Sequence, residues 1–449
     1  MRTILIALLA TSLLVGCGGE TDETPAEDAA NNGGKTDIAR DEVKMCAAVR
    51  GNGQLIWGHF GSLARLHEHY GTLDGIAGGS SGSITTFLTE SMYANPHVWD
   101  CDGARCSDEV AGVRIALMYK SLEGYIAVLG TTDEAVAFGQ LAPFAAKIQG
   151  AGIQELIASG EFLEAREALL ALLDSEDIRD LINQELVALL TNSPDPEFHV
   201  QEVWNMLSGF GSFEANDPRI FVLPGVIDFE ALAGKLGRIG SFYAAYGPAD
   251  GAAWTTFFGQ CAEQGKGKSF AQIASLDAGG ATCGELFGSM VGTYRTEFIA
   301  GGDAYQNRID DEVGAFLPAL VITSVLEGDA ATTFAQARDD YQNAKEWSLE
   351  VKFDDVKFGY WGQQDNLNAI AQNKMGYTDL KTQKFLSLGE TTYREALSFS
   401  PAEPGLARAL EIDDTHVSAG GWPDLQPVQV LKNMGCDEVV FLTRQGGEV

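Results

Sequence analysis

Leu73-Asp74-Gly75-Ile76-Ala77-Gly78-Gly79-Ser80-Ser81-Gly82-Ser83 is the stretch on which the reading of this 449-residue chain turns. Leu73 to Ala77 is a short, largely apolar run that predicts a buried strand. Gly78 to Gly82 spells G-x-S-x-G, and Ile84, Phe87 and Leu88 then restore helical spacing. A serine on so sharp a strand-to-helix turn needs small neighbours, because its backbone is strained. The helix that follows aims amide N–H groups at negative charge formed there. Ser80 is therefore the candidate nucleophile, with Gly78 and Gly82 as the glycines of the elbow.

Upstream, Met45 to Val49 is a second short apolar run, followed at once by Arg50-Gly51-Asn52-Gly53. Phe60, Leu63, Ala64 and Leu66 or His67 then fall at helical spacing up to Tyr70. Two successive units of strand, glycine turn and helix would bring their turns side by side at one edge of a parallel sheet. One turn offers backbone donors and the other the nucleophile.

These residues resemble the patatin-like phospholipases. Gly51-Asn52-Gly53-Gln54-Leu55-Ile56-Trp57-Gly58-His59-Phe60-Gly61 is similar to that family's oxyanion loop and first helix, and Gly78 to Ile84 to its nucleophile elbow. Ser80 follows Gly51 by 29 residues, about the interval the family uses. Phe316-Leu-Pro-Ala-Leu-Val-Ile-Thr-Ser-Val resembles its middle strand. Ser418-Ala-Gly-Gly-Trp-Pro-Asp-Leu-Gln-Pro-Val, with Leu431 to Leu442, resembles its aspartate-glycine-glycine loop, helix and strand. The likeness covers residues 44–95 and 315–445.

The resemblance implies an α/β fold over 44–445, a three-layer α/β/α sandwich with a mostly parallel central sheet. It implies hydrolysis of a lipid or small ester by a serine–aspartate dyad, as in phospholipase A, lysophospholipase or esterase activity, without metal or organic cofactor. Oxyanion donors would come from Gly51, Asn52, Gly53, Gln54 and Ser81. The chain departs from the family twice. Leu55-Ile56 replaces an arginine–glycine pair, and Ala419 stands where the catalytic aspartate is usual. Asp424, in the same loop, is the nearest replacement base, with Asp413 and Asp414 behind it. Two other readings stand beside the dyad. One is a Ser-His-Asp esterase using His416 with Asp413 or Asp414. The other is a non-catalytic scaffold that binds lipid or protein.

The remaining histidines carry less. His67 and His69, two apart on a helix, face different ways and read as surface residues, whereas His59 reads as structural or pocket-lining. Residues 107–315 are mainly helical in pattern and predict an insertion, either a layer on the sheet, a satellite bundle, or a cap over the serine.

The N-terminus addresses the compartment. Ile4 to Val15 is too short for the ~20 residues of a bilayer span but suits a signal-peptide core. Leu14-Val15-Gly16-Cys17 resembles a bacterial lipobox, which implies a signal peptide at 1–16 and acylation of Cys17. Residues 17–43 are polar and acidic and predict a flexible tether. Gly18 lacks the aspartate linked to inner-membrane retention, which points to the outer membrane or cell surface of the envelope. Lys+Arg 30 against Asp+Glu 63 gives a net charge of −33, which repels a phosphate backbone and excludes nucleic acid as a partner. Six further cysteines fit an exported protein. Cys101 and Cys106 bracket a short turn, and elimination then pairs Cys261 with Cys283 and Cys46 with Cys436.

Acylation at Cys17 is checked by detergent-phase partitioning. Wild type is expected in the detergent phase and Cys17→Ala in the aqueous phase; a wild type that partitions as the variant does removes the anchor.

Overall fold

The computed structural model describes residues 43–51, 56–129, 151–175, 178–193, 195–208, 227–246, 251–301, 319–326, 357–362, 374–379, 384–390, 393–402, 410–412, 415–418 and 427–443. From Lys44 onward the chain forms one compact unit. It opens with β1 (Met45–Val49), α1 (Trp57–Tyr70), β2 (Gly75–Gly78) and α2 (Ser81–Ala94). Next come α3 (Pro96–Trp99), a small hairpin of β3 (Asp100–Cys101) and β4 (Ala104–Arg105), and α4 (Asp108–Leu129).

Among the described residues the next helices are α5 (Ile153–Ser159), α6 (Phe162–Leu173), α7 (Gln184–Thr191) and α8 (Pro196–Ser208). Four more are α9 (Phe229–Tyr243), α10 (Gly251–Cys261), α11 (Phe270–Ala274) and α12 (Cys283–Gly301). The remainder returns to the sheet as β5 (Ala319–Leu326), β6 (Lys357–Gly362), β7 (Lys374–Asp379) and β8 (Lys384–Glu390). Last are α13 (Tyr393–Phe399), β9 (Leu410–Ile412), β10 (Thr415–Ser418), α14 (Val428–Asn433) and β11 (Glu438–Leu442).

This is an α/β fold with one large sheet, ordered β11-β1-β2-β5-β6-β7-β8, with β10 paired to β5 and β9 paired to β10. The expectation of a mostly parallel sheet needs correction. Among the described residues only the β11-β1, β1-β2 and β2-β5 pairs are parallel. The pairs made by β6 to β10 are antiparallel. The parallel part is the part that carries the two glycine turns.

β1 shows why its run is continuously apolar. Met45, Ala47 and Val49 join the main core, while Cys46 and Ala48 face a second cluster with Val430, Leu431 and Met434 of α14. A strand covered on both faces has no solvent side to mark with polar residues. The main core extends through α1, α2, α4, α9, α10 and α12 and contains an aromatic nest of Tyr125, Phe242, Trp254, Phe257 and Phe287.

The helical stretch at 107–315 therefore divides in two. Its α4 and α9 to α12 share the core of the sheet, whereas α5 to α8 form a satellite bundle around Leu169, Leu173, Leu186, Leu190 and Val203. Among the described residues no helix is long and apolar enough to cross a membrane.

Disulfides join Cys46 to Cys436, Cys101 to Cys106 and Cys261 to Cys283. The first spans 390 residues and ties β1 to the turn before β11. Closing so long a loop restricts the unfolded chain strongly. Replacing Cys46 and Cys436 together by alanine is expected to lower stability by about 2–5 kcal/mol in guanidinium unfolding; an unchanged midpoint contradicts this.

Candidate functional site

Ser80 lies between the end of β2 and the first residue of α2, with φ 55° and ψ −128°. Among the described residues only Asp102 and Ala245 share a positive φ without being glycine. The turn is held from several directions. Gly82 N–H donates to the Gly79 carbonyl at 2.9 Å, and Ser83 donates to the Ser80 carbonyl through its N–H at 2.9 Å and its hydroxyl at 2.6 Å. The Ser80 N–H donates to Ser400 Oγ at 3.1 Å. Ser400, just past α13, is fully buried.

The elbow glycines have steric reasons. A Cβ on Gly78 would stand 2.4 Å from the Gly82 carbonyl oxygen, and one on Gly82 would stand 2.7 Å from the Val49 carbonyl oxygen. The second distance shows that the start of α2 is pressed against the end of β1. Gly51, just beyond β1, approaches Ser80 itself: a Cβ there would lie 3.0 Å from Ser80 Cβ and 2.9 Å from the Gly79 carbonyl oxygen. The two turns read from the sequence thus meet, at Gly51 and Ser80.

His59 ties them together. It lies in the first turn of α1, almost wholly buried, with Nδ1 2.9 Å from Thr85 Oγ1 on α2. Burial pushes its pKa down to about 4, against a smaller upward effect from its hydrogen bond to the Arg50 carbonyl. The ring is neutral at pH 7. His67 was expected at the surface but is fully buried, because α4 lays Tyr119 against it. Its Nδ1 is 2.8 Å from the Leu63 carbonyl and its Nε2 3.0 Å from the Tyr93 hydroxyl. Burial lowers its pKa to about 4 as well, the Leu63 carbonyl opposing. His69 is exposed, as expected.

The acidic loop is approached through β10. β2 flanks β5 over Ala319 to Ile322, with Gly78 opposite Ile322. β6 occupies the other edge of β5, so β10 lies on the edge that β2 leaves, with Ser418 opposite Val325. Three strand positions separate these partners, about 10 Å at ~3.3 Å per residue. β10 runs antiparallel to β5, so the chain leaves it travelling toward the C-terminal end of β2. His416 lies two residues farther away, opposite Glu411 of β9.

The structure brings Gly51, Gly78, Ser80, Ser81 and Gly82 together. Cys17, Asn52, Gly53, Gln54, Asp413, Asp414, Ala419 and Asp424 lie outside the described residues. Ser400 and Thr85 were missed by sequence reasoning. Ser400 comes from 320 residues away and carries no local signal. Thr85 shares its place in α2 with other hydroxyl residues that cap their own helix. Among the described residues no group of three or more His, Cys, Asp or Glu side chains could hold a metal ion.

Gly78→Ala forces backbone against backbone and is expected to cost about 1–3 kcal/mol in urea denaturation, with loss of any chemistry at Ser80; a wild-type midpoint contradicts the tight elbow. No family model, no curated protein and no solved structure matches this chain.

Proposed function

We propose that this chain is a serine acyl-ester hydrolase of patatin-like architecture, acting on a lipid or small ester. The approach of Gly51 to Ser80 is the observation that carries the reading. A strained serine alone is a turn. A strained serine at a helix N-terminus, beside a second glycine turn, has a nucleophile and a place for charge within one residue's reach.

In the proposed reaction Ser80 Oγ attacks the ester carbonyl carbon and its proton passes to a carboxylate. The oxyanion of the tetrahedral intermediate is held by backbone N–H groups at Gly51 to Gln54 and at Ser81, aided by the α2 dipole. Collapse expels the alcohol, which takes the proton back, and water then releases the acid from the acyl-serine. Asp424 is the preferred base. It follows Ser418 by six residues, which span at most about 20 Å, and β10 runs toward the end of β2 that carries Ser80. The same direction disfavours His416, which sits before Ser418 on the strand.

The fit to the N-terminal reading is direct. A chain tethered through Cys17 to a bacterial envelope would meet its ester at a lipid surface.

A fluorophosphonate probe tests the proposal. It is expected to label wild type at Ser80 and to spare Ser80→Ala, with Asp424→Asn labelled at least about 100-fold more slowly. Labelling that persists unchanged in Asp424→Asn moves the base elsewhere. A wild type that is not labelled leaves a non-catalytic scaffold.

A further inference from the structure

We propose that the cleft between α1 and the strand β11 is a second binding site, distinct from Ser80, for a single-tailed amphiphile with an anionic head.

The cleft has a volume of about 570 Å³, within the range of small-ligand sites. Its floor comes largely from the sheet. Among the described residues β11 is the edge strand on this side. Its Val440 and Leu442 stand opposite Ala47 and Val49 of β1 and pack with them on the side of the main core. Together with Leu66 of α1 they give the cleft an apolar base. β1 lies between β11 and β2, so the cleft flanks the side of β1 opposite Ser80.

The rim is cationic. Arg65 and His69 are four residues apart and therefore neighbours on one face of α1, and Lys266 meets them from the turn after α10. That turn is fixed in place. Gly267 N–H donates to Glu68 Oε1 at 2.9 Å, and Lys120 of α4 both pairs with Glu68 and donates to the Gly265 carbonyl at 3.0 Å. Glu68 is the acid that lines the cleft, and Lys120 already neutralises it. Arg65 and Lys266 are exposed, and among the described residues neither has a carboxylate partner. Acids outnumber bases 63 to 30 in this chain, so no shortage of carboxylates explains that.

A cationic rim over an apolar base fits a ligand that has both parts. The Arg65 guanidinium offers paired N–H donors that match a carboxylate or a phosphate. Lys266 adds a point charge and His69 a ring N–H. The net charge of −33 opposes anions at long range, but beyond about 8 Å it is largely screened at physiological salt. The groups within the cleft therefore decide.

The experiment applies a photoreactive dodecanoate, with a diazirine in its tail, to the full chain and maps the label by mass spectrometry. Label is expected on residues 62–70, on Lys266–Gly267 or on β11. Dodecanoate and dodecyl phosphate are expected to displace it at concentrations at least about tenfold below that of dodecanol, and inorganic phosphate at least about 100-fold less well than dodecyl phosphate. The better of the two tailed anions assigns the head as carboxylate or phosphate. Replacing Arg65 and Lys266 together by glutamine, at two exposed positions that leave the core intact, is expected to raise the half-saturating concentration at least about fivefold. Unchanged half-saturation in that double variant overturns the site, as does label confined to the surroundings of Ser80 or displacement by dodecanol as effective as by dodecanoate. The readout is binding and not turnover, so a chain inert toward esters leaves the cleft standing, and a cleft that takes no label leaves the hydrolase reading standing.

Discussion

Ser80 occupies a backbone conformation that costs a non-glycine residue about 1–3 kcal/mol, and the surrounding contacts have to offset that cost. They do so by leaving no room for relaxation. Gly78 and Gly82 are packed backbone to backbone, Ser83 holds the Ser80 carbonyl twice, and Ser400 holds its N–H. The contact of Gly82 with Val49 then makes β1 part of the same constraint. Moving the serine would require moving two strands and a helix that are buried in one core.

The helix behind the serine is unusual in being covered on nearly every side while rich in hydroxyl groups. Thr86, Thr89 and Ser91 resolve the conflict by donating to carbonyls four residues earlier, at 2.8, 2.7 and 2.8 Å. Such bonds let small polar side chains sit in a core without unsatisfied groups. They leave His59 and His67 as the longer polar links between α1 and α2, and both rings are kept neutral by burial. The two helices that open the two turns are thus coupled by hydrogen bonds as well as by packing.

Much of this was legible in the sequence, and for identifiable reasons. β1 and α1 appear where apolar spacing placed them, and β2 ends within one residue of the expected boundary. Local chemistry decides such elements, since the glycines can be read from what a strand-to-helix turn demands. The antiparallel half of the sheet was not legible, because strand direction depends on connections and not on the composition of a strand. His67 was misplaced for a similar reason: helical spacing shows one inward face, while the burial of a second face depends on α4, which packs from outside the motif. Ser400 illustrates the limit most sharply, as a single hydroxyl brought to the elbow from a distant segment.

The bond between Cys46 and Cys436 has a bearing on the order of folding. β1 is the first strand of the domain and is flanked by β2 and by β11, the last. One edge of it therefore stays open, and its thiol stays unspent, until almost the whole chain has been made. Early cysteines such as Cys101 and Cys106 can close within their own hairpin, but β1 waits. A chain released vectorially, N-terminus first, would hold its sheet incomplete through nearly the entire passage and finish in a single late step of pairing and oxidation.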